Sequence, residues 1–143
     1  MYTSCCGRLS RLPFENAGKV KMMKLKTLPC DLTVCKVSGI ADVKLDAEFY
    51  FIGRTDEELS LVCRTQDTPQ NTTAREDGWR GFCIAGELDF SLVGILSKLS
   101  SILAASGIGI FAVSTYNTDY ILVKAENLSR AMSVLAEAGY ETE

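Results

Sequence analysis

The sequence predicts an α+β fold in which two ferredoxin-like βαββαβ units pack together, the first of them degenerate. Three observations predict it. The C-terminal half shows strand and helix patterns in the order β-α-β-β-α-(β). Similar strand patterns occur earlier in the chain at a constant offset in residue number. Hydrophobic residues make up 47% of the 143 residues, which is enough to build a buried core.

In the C-terminal half, a short strand over 81–85 ends at Gly86 and leads into an amphipathic helix. The helix ends at Gly107, a residue that readily adopts the left-handed conformation at a helix C-terminus. Spacings of three and four residues define its apolar face. The face consists of Leu92, Ile95, Leu96, Leu99, Ile102 and Leu103.

Two β-rich segments follow at 108–114 and 120–125, joined by the polar turn 116–119. A second helix is predicted next, ending at Gly139, and Tyr140 and Thr142 begin an edge strand. The apolar face of this helix consists of Leu128, Ala131, Met132 and Leu135.

The first half repeats this order with pieces missing. Its hairpin strands match those of the second half when 61 is added to their numbering, whereas the strand predicted at 32–37 matches 81–86 at a shift of 49. The first half therefore lacks a segment whose length is 12, the difference between the two shifts, where its first helix is expected. Only a short turn at 38–43 remains there, and 67–72 is a poor helix sequence. A single α+β domain with an accidental repeat is the alternative.

The repeat divides the chain into three parts. A short sheet without its helices cannot bury enough apolar surface alone, so the two copies are expected to pack together. We predict a disordered extension over 1–23, a degenerate first unit over 24–78 and a complete second unit over 79–143.

Composition excludes several functions. The net charge of −3 argues against nucleic-acid binding, and the absence of histidine removes the usual general base and metal ligand. An RNA-recognition module shares the predicted strand order but needs more aromatic and basic residues. We therefore predict a protein that is not an enzyme and has no cofactor or metal.

Cysteine usage and hydropathy suggest a location. The six cysteines, none in a C-x-x-C pair, are Cys5, Cys6, Cys30, Cys35, Cys63 and Cys83. A disulfide framework is disfavoured because no export signal accompanies it. No apolar run reaches the ~18 residues that cross a membrane. A reduced, cytoplasmic protein without membrane contact is expected.

Two motifs, at 88–94 and at 114–120, resemble an ACT domain, a likeness that covers roughly residues 30–141. The sequence is similar in particular to the regulatory half of aspartokinase and to the cytosolic arginine sensors. The resemblance implies an allosteric regulatory module that binds an amino acid and acts on a protein partner. The ligand-binding residues that it implies are Asp89, Phe90, Ser91, Leu92, Val93, Gly94, Ser114, Thr115, Asn117 and Asp119. Self-association as a homodimer is predicted separately, because small sheets expose edges and because Phe111 and Val113 leave apolar surface to cover.

The residues themselves are compatible with such a site. Backbone N–H groups at a helix start suit a carboxylate, Gly94 permits close approach, and Asp119 can pair with an ammonium. However, Asp89 and Ser91 also suit helix capping, and 114–119 also suits a plain turn. Leu92 stands where the arginine sensors carry an acid, so a less polar ligand is equally compatible. The alternative function is a dimerisation or adaptor module that has lost its ligand.

Overall fold

In the part of the chain that the structure describes, alternating apolar residues place eight strands in one mixed sheet, and two helices cover part of that sheet. The computed structural model describes residues 23–85 and 94–143. In chain order, the elements of the first half are β1 Lys24–Thr27, β2 Leu32–Lys36, β3 Tyr50–Arg54, β4 Leu59–Arg64 and β5 Ala74–Ile84. Those of the second half are α1 Ile95–Ala105, β6 Phe111–Ser114, β7 Asp119–Lys124, α2 Leu128–Glu137 and β8 Glu141–Thr142.

Strand β5 is the central strand of the sheet. One of its edges pairs antiparallel first with β2 and then with β1, so these two strands form one broken line along it. Its other edge pairs with β7, which pairs with β6. Strand β4 lies between β2 and β3, and β8 pairs parallel with β1. Strand β5 thus joins the two halves of the chain, and the predicted boundary at 78/79 falls inside it.

The sheet is curled. Strands β3 and β7 are separated by β4, β2 and β5, which in a flat sheet would put them about 19 Å apart. Instead, the rings of Phe51 and Tyr120 have centroids 5.2 Å apart. A small core of Leu32, Val62 and Leu122 fills the space inside the curl. The inner faces of the two halves of the sheet therefore pack against each other.

Both helices cover the outer face of the second half. Leu99 and Leu103 of α1 and Leu135 of α2 are fully buried against Phe82 and Ile121 of the sheet. These helices agree with the predicted apolar faces, except that Leu92 lies outside the described residues.

The outer face of the first half is covered by irregular segments instead of helices. Within 23–85 the structure contains no α-helix. The 38–43 segment forms the 3-10 turn Ile40–Asp42, and a second 3-10 turn, Thr65–Asp67, ends where the 67–72 segment begins. Val43 is buried against Cys35, Leu61 and Cys63 and closes the smaller core there. The prediction that the first half lacks its first helix is confirmed.

The strand pairing corrects the predicted repeat offset. Phe51 pairs with Val62 in the first hairpin, and Phe111 pairs with Leu122 in the second, so the offset between equivalent hairpin positions is 60, not 61. Leu32 pairs with Arg64, and Trp79 pairs with Lys124, so Leu32 and Trp79 occupy equivalent positions. The offset between the first strands of the two halves is therefore 47, not 49. The length of the missing segment is then 13, the difference between 60 and 47.

Strands β1 and β5 also differ from the prediction. No strand was expected over 24–27, yet Leu25 is fully buried in the core of the second half. Strand β5 begins at Ala74 rather than near Gly81. Its first residues are polar because they are exposed, so their sequence does not resemble a buried strand.

Candidate ligand-binding site

The turn between β6 and β7 is well defined by its hydrogen bonds. Residues Thr115 and Thr118 close it, because the backbone N–H of Thr115 donates to the carbonyl of Thr118 at 2.8 Å. The Thr115 hydroxyl donates to the same carbonyl at 3.0 Å and accepts from the Thr118 N–H at 3.3 Å. Exposed Asn117 lies in the middle of the turn. The structure thus brings together the predicted site residues 114, 115, 117 and 119 in one tight turn.

A side chain that sequence reasoning did not select connects this turn to the rest of the fold. The Thr118 hydroxyl donates to the carbonyl of Ile84 at 2.8 Å, at the last residue of β5. The turn therefore lies beside the point where the chain leaves β5 toward the 89–94 motif. Thr118 belongs to the 114–120 motif, but its role could not be predicted without knowing the strand pairing.

Asp119 begins β7 and is half-buried. Its carboxylate accepts a hydrogen bond of 2.5 Å from the Ser114 hydroxyl, across the last pair of the hairpin. A carboxylate can accept about four hydrogen bonds, so this bond leaves capacity for a further donor. The arrangement stabilises the turn and also fixes the direction of the Asp119 side chain.

Of the 89–94 motif, only Gly94 can be described, since Asp89, Phe90, Ser91, Leu92 and Val93 lie outside the described residues. Gly94 precedes α1 with a φ of 80°, a left-handed conformation that favours glycine. It borders a cavity of about 160 Å³ with Lys98 and Tyr140, smaller than typical ligand pockets. Residues 114–119 do not line that cavity.

The described thiols do not suggest a catalytic nucleophile. Cys30, Cys35, Cys63 and Cys83 are free. Burial raises the pKa of the Cys35 thiol to about 11, and burial also raises the pKa of Cys63 and Cys83. All three thiols are therefore neutral near pH 7, which disfavours nucleophilic chemistry.

The described part of the chain offers neither a metal-binding cluster nor a helix suited to a membrane. Across 23–85 and 94–143, histidine, cysteine and acidic side chains do not form a group of three suited to a metal ion. The helices that the structure describes are too short or too polar to span a membrane.

Comparison with known proteins identifies the family. Residues 74–137 match the ACT domain model. The chain is 34% identical to protein Atu0741 from Agobacterium tumefaciens, over 85% of this chain and 92% of that one, with a TM-score of 0.75. No match is found among curated proteins.

Two aspartokinase structures share the fold at lower identity. The aspartokinase alpha and beta subunits are 14% identical, with a TM-score of 0.59 and coverage of 82% of this chain and 97% of that one. The regulatory subunit of aspartate kinase from Thermus thermophilus, in a ligand-free form, is 12% identical, with a TM-score of 0.54 and coverage of 76% and 93%. The chain therefore belongs to the same family as Atu0741 and is an ACT-domain protein whose fold is similar to that of aspartokinase regulatory domains.

Proposed function

We propose that this chain is a cytoplasmic regulatory module that binds an amino acid and has no catalytic activity. The observation that carries the proposal is the hydrogen bond from Thr118 to Ile84, because it holds the Asp119 turn beside the last residue of β5. The shared fold with an aspartokinase regulatory subunit supports the regulatory role.

The proposed architecture is a pair of ACT units, 24–78 and 79–143, that share strands. In the first unit, the order β5-β2-β4-β3 has the arrangement of a ferredoxin-like sheet without its helices. In the second, β1-β5-β7-β6 has the same arrangement, with β1 supplied from the N-terminal side and β8 added at the edge. Strand β5 serves both units.

The proposed ligand lies between the 89–94 segment and the 115–118 turn. Its carboxylate would meet backbone N–H groups that precede α1, where the helix dipole favours negative charge. Its ammonium would approach Asp119, whose carboxylate the Ser114 hydroxyl already orients. Thr115 and Asn117 would supply further hydrogen bonds.

Thermal unfolding of the full chain with each common amino acid tests the site. A ligand at one hundred times its dissociation constant stabilises the folded state by about 2.7 kcal/mol, which raises Tm measurably. Asp119→Asn keeps an oxygen that can accept from Ser114 but removes the charge, so it should abolish the Tm shift and preserve the fold. Asp56→Asn changes an exposed carboxylate in the equivalent turn of the first half and should leave the shift intact. A shift that survives Asp119→Asn would contradict the proposed site.

A dimerisation or adaptor module is the second candidate function, since the Ser114–Asp119 bond also suits a purely structural turn. Self-association as a homodimer is proposed in either case, because the outer edges of β3 and β6 leave backbone groups that another strand can pair with. The adaptor function predicts no Tm shift with any amino acid. Light scattering that gives a monomer mass at high concentration would contradict self-association.

A further inference from the structure

A second cavity lies inside the curl of the sheet, away from the β6–β7 turn. Its volume is about 440 Å³, within the ~300–1,000 Å³ range of small-molecule sites. It is bordered by β2, β4 and the start of β5 from the first half and by Phe111 of β6 from the second. The cavity is thus formed where the inner faces of the two halves meet.

The internal repeat explains why this space is open. Ser60 pairs with Gly53, and Tyr120 pairs with Val113, so Ser60 and Tyr120 occupy equivalent hairpin positions. The Tyr120 ring packs 5.2 Å from Phe51 and 5.8 Å from Phe49, and it fills its side of the curl. Ser60 has no ring, so the equivalent space beside Phe111 stays unfilled. The opening therefore corresponds to one missing aromatic side chain.

The lining combines an apolar floor with charges of both signs. Val34, Ala74 and Phe111 provide the apolar surface. At the rim, the Lys36 ammonium lies 3.3 Å from the Glu58 carboxylate, with both side chains about half exposed. Glu76 also borders the cavity and forms an ion pair with Lys124. Exposed ion pairs of this kind contribute little to stability, so a ligand can exchange partners with them at low cost.

We propose that this cavity binds a free α-amino acid with an apolar side chain, at a site separate from the one above. Lys36 and Glu58 place opposite charges side by side, as the carboxylate and ammonium of an α-amino acid do. The ligand carboxylate pairs with Lys36, its ammonium pairs with Glu58, and its side chain lies on Phe111 in the place that a tyrosine would fill.

Amide NMR spectra of the 15N-labelled full chain, titrated with L-leucine or L-phenylalanine at millimolar concentration, test this site. The expected result is saturable shifts at Ser60 and Phe111. 4-Methylpentanoate has no ammonium and 3-methylbutylamine has no carboxylate, so each should bind at least about tenfold more weakly than leucine. Equal binding of all three probes, or no shifts with either amino acid, would overturn the proposal.

Two variants complete the test. Ser60→Tyr introduces the residue found at the equivalent position of the second half and should eliminate the shifts near Phe111 without lowering Tm. Lys36→Met removes the charge for the ligand carboxylate without filling the cavity, so it remains informative if Ser60→Tyr misfolds. Asp119→Asn should leave these shifts unchanged, which separates a failure of this site from a failure of the proposed function. Shifts that persist in both Ser60→Tyr and Lys36→Met would contradict the site.

Discussion

The two halves of the chain form the same hairpin but cover it in different ways. Hairpins β3–β4 and β6–β7 both have four-residue turns, Thr55 to Glu58 and Thr115 to Thr118, with the same N–H to carbonyl bond across them. Behind the second hairpin lie α1 and α2, whereas behind the first lie two irregular segments. The two hairpins therefore have the same strand pairing, although among the described residues α-helices lie behind the second hairpin and not behind the first.

Polar contacts connect the two segments that replace the helices. The Lys44 ammonium lies 3.5 Å from the Asp67 carboxylate, and the Asn71 amide donates to Asp42 at 2.9 Å. Apolar cover is incomplete, since Ile40 and Leu45 are 43% and 52% exposed. In the first half, side-chain contacts between loops thus take the place of a helix pair, but they bury less apolar surface.

The largest expected effect contrasts the two cores. Leu103→Ala in α1 leaves a cavity between a helix and the sheet, so it should lower the free energy of unfolding by about 2–5 kcal/mol. Leu61→Ala removes the same group from the first-half core, where the irregular segments can relax into the space, so its loss should be near the lower end. Urea unfolding of both variants measures the difference. A larger loss for Leu61→Ala would contradict the comparison.

A smaller effect is expected where the halves meet. A Cβ at Gly81 would lie 3.1 Å from the Leu28 side chain and 3.2 Å from that of Leu32, so Gly81→Ala should destabilise by about 1–3 kcal/mol. Gly39 has open space around its Cα, and Gly39→Ala should be neutral or stabilising by about 0.4–1 kcal/mol. Thermal unfolding compares them. Equal Tm values for the two variants would show that the shared strand is not tightly packed there.

Much of the fold could be predicted from the sequence, since apolar periodicity locates α2, β7 and the missing helix. The exact repeat offset could not be predicted, because both halves are rich in apolar residues that match nearly as well one position away. A one-residue slip exchanges the two faces of a strand. Only pairing such as Phe51 with Val62 and Phe111 with Leu122 decides between the shifts.

The site was predicted in part. The residues of the 114–119 turn do lie together, because neighbours in a tight hairpin must. Thr118 was missed, since its bond to Ile84 joins residues 34 positions apart. The cavity beside Ser60 was also missed, because strands from both halves form it. Its trace in the sequence is a small residue, Ser60, where the second half has Tyr120.

A pH-dependent effect is expected at the irregular segment after β4. The hydrogen bond from Arg64 lowers the pKa of Asp67 below its usual 3.8, with Lys44 adding to this. The ionised Asp67 carboxylate therefore contributes fully to stability above about pH 4, and this contribution is lost as the pH falls through the lower pKa that Asp67 has in the folded state. Asp67→Asn should lower the free energy of unfolding more at pH 7 than at pH 2, measured by urea unfolding. Asp56→Asn is the matched control, and a pH-independent loss in Asp67→Asn would contradict the ion-pair explanation.

The smallest effect is expected for a reciprocal exchange between the two cores. Cys63 and Val123 occupy equivalent positions beside Leu61 and Ile121 and are 2% and 0% exposed. Because burial raises its pKa, the Cys63 thiol is neutral at pH 7 and packs as a small hydrophobe, with weak contacts to Cys35 and, at 3.6 Å, to the Thr68 hydroxyl. Cys63→Val should therefore change the free energy of unfolding by less than about 1.5 kcal/mol. Val123→Cys removes a methyl group from the tighter core and should lower the free energy of unfolding by about 1 kcal/mol. If Cys63→Val destabilises the protein as much as Leu61→Ala does, the thiol has a specific role that packing does not explain.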